Sequence, residues 1–202
     1  VGRGLRIGVD VDDVLVESLP GYVEAFGRRF RRRVPVEQAA WEIFRGFPEI
    51  PADEQGEFYG ELETTGFLGT RPVYPEAVEG VRALAAAGHR LLVVTGRLRE
   101  QAGHTRRLLT QAGILELFEA LYHRSGGTPT TDHKRRIVRE ERLDVLIDDE
   151  LHLARAVARL PIPVLLVDRP WNQGSLPAGI TRVTSWPQIL SRVAELAGLS
   201  GS

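Results

Sequence analysis

From Pro75 onward the chain alternates two hydrophobic rhythms. Pro75-Glu76-Ala77 opens a helix with apolar positions at Val78, Val81, Leu84 and Ala85, and Gly88 stops it. Leu91-Leu92-Val93-Val94 is apolar on every residue, as a strand buried on both faces requires, and it ends in Thr95-Gly96-Arg97. A polar helix carrying Leu108 and Leu109 closes near Gly113, Leu121-Tyr122 is a weak strand, and Asp132 to Glu141 is a charged helix. Leu143 to Ile147 forms the next strand, ending at Asp148-Asp149. Leu151 to Leu160 is the next helix, and Pro163 to Val167 a last strand ending at Asp168. Near the start, Leu5 to Val9 leads into Asp10-Val11-Asp12-Asp13 and resumes as Val14-Leu15-Val16. Apolar strands alternating with helices predict an α/β fold, a Rossmann-like parallel sheet with helices on both faces.

Residues 16–76 break the rhythm. They contain no strong strand, and their charge swings from Arg28-Arg29-Phe30-Arg31-Arg32-Arg33 to an acidic run between Glu49 and Glu63. They also hold ten of the fourteen aromatic residues, among them Trp41, Phe44, Phe47, Phe58, Tyr59 and Phe67. The expected organisation is therefore a core from residues 1–15 and 77–202, with 16–76 inserted after the first strand as a small helical cap. An insert of that size needs bulky rings simply to pack.

Ligands of open parallel sheets bind beyond the carboxyl ends of the strands. Asp10, Asp12, Thr95, Asp148 and Asp149 all fall at that edge. Crowded carboxylates repel one another and cost desolvation unless a cation sits among them, so the cluster suggests a metal ion. Of 26 basic residues only Lys134 is lysine, which singles out a position suited to a compact ammonium where a planar guanidinium would not fit.

Composition narrows the partners. A net charge of −1 gives no global field for a nucleic acid polymer or an anionic membrane. With no Cys, thiolate chemistry and disulfides are excluded. Asp10, Asp12 and Asp13 interrupt the first apolar stretch, which suits neither a signal core nor a membrane span, and the default expectation is a cytoplasmic protein. The five histidines are scattered without paired ligand spacing.

Taken in order, Asp10-x-Asp12, Thr95-Gly96, Lys134 and Asp148-Asp149 resemble the four-motif pattern of the haloacid dehalogenase (HAD) superfamily. Within it the resemblance is to the 5'(3')-deoxyribonucleotidase group and its bacterial relatives. That narrower likeness is carried by Gly8 to Leu15, the junction from Phe67-Leu68 to Pro75-Glu76-Ala77-Val78, Asp144 to Asp149, and Pro163 to Asn172 with its Asp168-Arg169-Pro170-Trp171-Asn172. Asp13 stands where many members have Gly, so the turn there is expected to differ.

The resemblance implies a magnesium-dependent phosphomonoester hydrolase, a 5'-nucleotidase for (deoxy)nucleoside monophosphates working through an aspartyl-phosphate. Asp10 would attack phosphorus, which a carboxylate can do only where a cation and fixed donors neutralise both anions. Asp12 would move protons, and Thr95 and Gly96 would hold phosphoryl oxygens. Lys134 would bridge the phosphoryl group and Asp10. Mg2+ would be held by Asp10, Asp148 and the Asp12 backbone carbonyl, with Asp149 acting through a water. Arg97 is a candidate for the substrate anion or merely a helix start, and Trp41, Phe44 or Phe67 for stacking on a base. The partner expected is a small phosphomonoester, and a homodimer is compatible with the sequence. Three alternatives stay open: a phosphatase for sugar phosphates or other metabolites, a phosphoacceptor module without turnover, and a nucleotide-binding module.

Overall fold

The computed structural model describes residues 4–35, 38 and 42–199. Six parallel strands form one sheet in the order β3-β2-β1-β4-β5-β6: β1 (Arg6–Val9), β2 (Arg90–Leu98), β3 (Phe118–Arg124), β4 (Val145–Asp148), β5 (Val164–Val167) and β6 (Ile180–Val183). The helices are α1 (Leu19–Phe30), α2 (Ala52–Thr64), α3 (Pro75–Ala86), α4 (Ala102–Gln111), α5 (Thr130–Glu140), α6 (Leu151–Val157) and α7 (Trp186–Leu199). Among the described residues no helix is long and apolar enough to cross a membrane.

Strand alternation sorts side chains onto two faces. Ile7, Val9, Leu91, Val93, Val145, Ile147, Leu165 and Val167 pack under α3, α4 and α7, while Leu92, Val94, Leu146, Val164 and Leu166 pack under α5 and α6. This is the expected doubly covered sheet, and the chain order changes direction on either side of β1. Gly8 faces the second layer, where a Cβ would come within 2.6 Å of Leu143 Cδ1, so the strand can lie this close only without a side chain. Gly88, at φ +83, ends α3 as anticipated.

Three local expectations are corrected. Val14 to Val16 do not resume the strand: the chain folds back so that the Leu15 and Val16 amides both donate to the Val11 carbonyl, at 2.9 and 3.0 Å. Thr95-Gly96-Arg97 lie within β2, which runs on to Leu98 across an irregular register with β3. Beyond Val167 the chain adds β6 and α7, which the elements predicted from the sequence did not include, although Trp186, Ile189, Val193 and Ala197 keep a helical spacing in α7. An edge strand of four residues with only its ends buried has too few positions to display a period.

The segment after β1 is helical. Tyr22, Phe26, Phe44, Phe58 and Phe67 form its buried centre, with Phe30 and Phe47 packed against them. Ring contacts such as Phe26 with Phe44 (5.3 Å, 69°) and Phe26 with Phe58 (6.0 Å, 87°) have the edge-to-face geometry that aromatic quadrupoles favour. Part of the arginine run pairs with the acidic block: Arg29 reaches Glu57 at 3.0 Å and Glu61 at 3.3 Å, and Arg32 reaches Glu49 at 3.3 Å. The two connections to the sheet run side by side: Glu17 N donates to Pro72 O, Tyr74 N donates to Leu15 O (both 2.9 Å), and Val16 bridges Val73 antiparallel.

The α3–α7 contact rests on Gly80, where a Cβ would lie 2.1 Å from Trp186 Cε3. Gly80→Ala is expected to lower stability by about 1–3 kcal/mol through overpacking, despite the roughly 1 kcal/mol that Ala gains over Gly in a helix. Gly56→Ala in α2, where a Cβ meets nothing within 4 Å, is expected to leave stability unchanged or raise it. Urea denaturation midpoints of the two variants check the contrast.

Candidate active site

The carboxyl ends of β1 and β4 lie side by side at the centre of the sheet. The Asp10 amide donates to Ile147 O at 3.0 Å, which extends the ladder one residue and sets Asp10 beside Asp148. From the layer below, α5 delivers Lys134, whose Nζ lies 2.7 Å from Asp148 Oδ2 and 3.0 Å from Asp10 Oδ2. Lys134 is only 1% exposed, so this contact is made away from solvent. Burial alone would pull its pKa down, but Asp10 and Asp148 outweigh that and hold it well above the usual lysine range. Burial pushes Asp10 the other way, up to about 7, against the pull of Lys134 and with Asp148 and Asp12 adding repulsion.

Asp149 completes the acidic group. Carboxylate oxygens of Asp10, Asp148 and Asp149 all lie within 4.8 Å of one another, and all three residues are buried. Burial raises Asp149 well above the ordinary carboxylate range, with Asp13, Asp148 and Asp10 repelling its charge. Asp10 Oδ1 is buried and finds no hydrogen-bond partner among the described residues. An orphaned carboxylate oxygen facing two more acids, with one ammonium to balance three carboxyls, fits a hard divalent cation such as Mg2+.

Asp12 points elsewhere. Arg97 grips it with Nε on Oδ2 at 2.9 Å and Nη2 on Oδ1 at 2.7 Å, and Ser18 Oγ donates to Oδ1 at 2.5 Å. Burial would raise its pKa, but the Arg97 charge and these hydrogen bonds win and lower it. Thr95, fully buried, accepts the Arg97 amide on its hydroxyl at 3.2 Å. Gly96 passes the first turn of α5 so closely that a Cβ would lie 3.0 Å from Thr130 Cγ2.

Asp13 departs from glycine yet keeps a glycine-like backbone, at φ 57. Its carboxylate accepts the Ser18 amide at 3.0 Å and the Leu19 amide at 2.9 Å, capping α1 in place of Ser18, whose hydroxyl serves Asp12. Phe44 and Phe67 are each 8% exposed and belong to the insert's aromatic cluster, with the Arg71 guanidinium 4.5 Å above the Phe67 ring. Trp41 lies outside the described residues.

Sequence reasoning gave no role to the loop after β5, which supports both acidic turns. Arg169 donates from Nε and Nη2 to the Asp13 carbonyl at 2.9 and 2.7 Å. Trp171 Nε1 donates to Asp149 Oδ2 at 2.8 Å while its ring packs on the aromatic cluster, and Asn172 Nδ2 donates to Asp149 O at 2.6 Å. The signal was present: Asp168-Arg169-Pro170-Trp171-Asn172 follows an apolar strand at the same sheet edge as the other site residues.

Two outcomes follow from this geometry. Trp171→Phe keeps the ring and removes the donor to Asp149, so magnesium affinity measured by calorimetry should fall about 10- to 100-fold, with the far-ultraviolet spectrum unchanged. In chelator, the folded protein binds the Asp10 proton more tightly than the unfolded chain, about 7 against 3.8, so stability should fall as pH rises through that window. Asp12, shifted oppositely, contributes stability above its unfolded pKa and loses it only as pH falls through its lowered value, on the acid side of that window. The metal-free melting temperature should therefore be higher at pH 5.5 than at 7.5, and saturating magnesium should restore it at 7.5. Asp10→Asn should reduce the metal-free dependence without abolishing it, because burial also raises Asp13, to about 7, and Asp149.

Comparisons with known proteins agree with the fold. The profile of the haloacid dehalogenase-like hydrolases matches residues 10–158. A Bacillus cereus protein named "Putative nucleotidase" is 21% identical over 92% of this chain and 96% of its own, and an Oceanobacillus iheyensis protein of the same name is 22% identical over 92% and 97%. Among solved structures, a HAD family hydrolase from Deinococcus radiodurans, with bound phosphate and sodium, superposes with a TM-score of 0.70 at 19% identity over 97% of each chain. A haloacid dehalogenase-like hydrolase from Xanthomonas campestris gives 0.68 at 18% identity over 100% of this chain and 99% of that one. With the profile spanning most of its length on this sheet, the chain belongs to the haloacid dehalogenase-like hydrolases.

Proposed function

We propose that the chain is a magnesium-dependent phosphomonoester hydrolase that uses Asp10 as nucleophile and acts on (deoxy)nucleoside monophosphates. The observation that carries the chemistry is the asymmetry of Asp10: Lys134 holds Oδ2 while Oδ1 is buried without a partner beside Asp148 and Asp149. With Lys134 on Oδ2 and Oδ1 left to a cation, the carboxylate would be held in one orientation with its charge balanced from both sides, as a nucleophile attacking an anionic ester requires.

In the first half-reaction an Asp10 oxygen bonds to phosphorus and the ester oxygen departs, taking a proton from Asp12. In the second, water attacks the aspartyl-phosphate, gives its proton to Asp12 and frees inorganic phosphate and Asp10. Arg97 and Ser18 favour the carboxylate form of Asp12, which suits the second half, where it takes the proton of water. The proton it gives in the first half has to enter with a monoanionic phosphate ester, which passes it to Asp12 on binding. Thr95 and Gly96 would hold phosphoryl oxygens, and Lys134 would neutralise charge on both the phosphoryl group and Asp10. Magnesium, held by Asp10, Asp148 and the Asp12 carbonyl with Asp149 through water, would supply the remaining positive charge.

Support for a nucleotide substrate comes from the two relatives named as nucleotidases, which align over nearly the whole chain. In this reading residues 1–15 and 77–202 form the catalytic core and 16–76 a cap that supplies the base pocket. A second reading, a phosphatase for sugar phosphates or similar metabolites, is favoured by the burial of Phe44 and Phe67 within the aromatic cluster, where their faces are already occupied.

The test is phosphate release from a panel of deoxynucleotides, ribonucleotides and sugar phosphates. Turnover should require magnesium and fall by roughly a thousandfold or more in Asp10→Asn. No release from any ester, or an undiminished Asp10→Asn variant, would overturn the hydrolase assignment. A preference for sugar phosphates over all nucleotides would select the second reading.

A further inference from the structure

Arg97 was a candidate for gripping the substrate anion, but the structure spends it otherwise. It is 4% exposed, and its guanidinium is engaged on both edges. Nε and Nη2 take the two oxygens of Asp12 in a fork, at 2.9 and 2.7 Å, and Nη1 donates to the carbonyl of Leu68 at 3.1 Å. Leu68 lies in the turn Phe67–Gly69, where the insert returns toward the sheet, and packs on the aromatic cluster. The backbone of Arg97 is fixed as well, since its amide is bonded to the Thr95 hydroxyl. One side chain thus connects Asp12 with the returning end of the insert.

We propose that Arg97 is a positioning residue: it sets the orientation of the Asp12 carboxylate and makes that orientation depend on where the returning segment at Leu68 is seated. Three features argue for this over an anion grip. The fork is the geometry in which guanidinium and carboxylate give both attraction and a fixed plane. Ser18 completes the hold from the start of α1, so Asp12 is fixed from the entry to the insert and from its exit together. A phosphoryl group, finally, could take Arg97 only by displacing Asp12, leaving the proton carrier unheld and without its buried countercharge. The proposal rests on the hydrolase reading, in which Asp12 carries protons, and refines it by naming what holds Asp12.

The experiment is a double-mutant cycle on the full chain with magnesium. It uses Arg97→Met, Asp12→Asn and the double variant on p-nitrophenyl phosphate, with inorganic phosphate as a competitive inhibitor and thermal melts to confirm folding. Arg97 acting through Asp12 should cost about 10- to 100-fold in kcat in the wild-type background, less than about threefold in the Asp12→Asn background, and leave the phosphate inhibition constant unchanged. Arg97→Lys, which keeps the charge without the fork, should fall between wild type and Arg97→Met, and it carries the test if Arg97→Met does not fold. Equal losses in both backgrounds together with weakened phosphate inhibition would overturn the proposal in favour of a direct anion contact. Full activity of Arg97→Met beside an impaired Asp12→Asn would overturn it while leaving the hydrolase reading intact. An unimpaired Asp12→Asn would instead remove the proton-carrying role on which it rests.

Discussion

Three carboxylates are buried at adjacent strand ends with one ammonium to balance them, and that imbalance organises the rest of the molecule. Charges so placed are unstable on their own, because removing an ion from water costs several kcal/mol and like charges add to the cost. The fold answers with fixed donors. Lys134 comes from α5 to Asp10 and Asp148, and Trp171 comes from the far loop to Asp149. What these donors leave uncompensated is negative charge that a divalent cation can balance. Binding and stability are thus posed as one problem and solved by the same atoms.

The sheet order explains why such a cluster can be assembled here. β1 lies at the centre, with β2 on one side and β4 on the other, so Asp10, Thr95 and Asp148 emerge from three neighbouring strands toward one opening. These three strands are apolar through the middle of the sheet, at Ile7 to Val9, Leu91 to Val94 and Val145 to Ile147, and turn polar toward their carboxyl ends. The core therefore loses no packing to hold the site.

Much of this was legible in the sequence because the period of the strands and the polarity of their ends are separate signals. The alternation from Pro75 onward placed Thr95, Lys134 and Asp148-Asp149 on their elements, and the lone lysine marked its position. The remainder depends on contacts distant in sequence. That Asp13 would adopt a positive φ and cap α1 was hidden, because a carboxylate in an acidic run looks like one more ligand until the helix it caps is in place. Arg97 was ambiguous for a similar reason: its partners lie 85 and 29 residues away, and no local pattern encodes them. β6 escaped because a short edge strand carries almost no periodic signal, whereas α7 was legible in the helical spacing of Trp186, Ile189, Val193 and Ala197.

The single lysine has a consequence for the chemistry of the whole surface. With the other 25 basic side chains all arginine and Lys134 1% exposed, the described surface carries no accessible lysine ε-amino group. Acylation, glycation and amine-directed cross-linking therefore find no lysine on the outside of the fold. The sole lysine they could reach, once local opening admits them, is Lys134, which touches Asp10. With guanidinium rather than lysine ammonium groups on the surface, the buried amine of Lys134 is chemically isolated, so lysine modification of these 202 residues and disturbance of the acidic cluster become the same event.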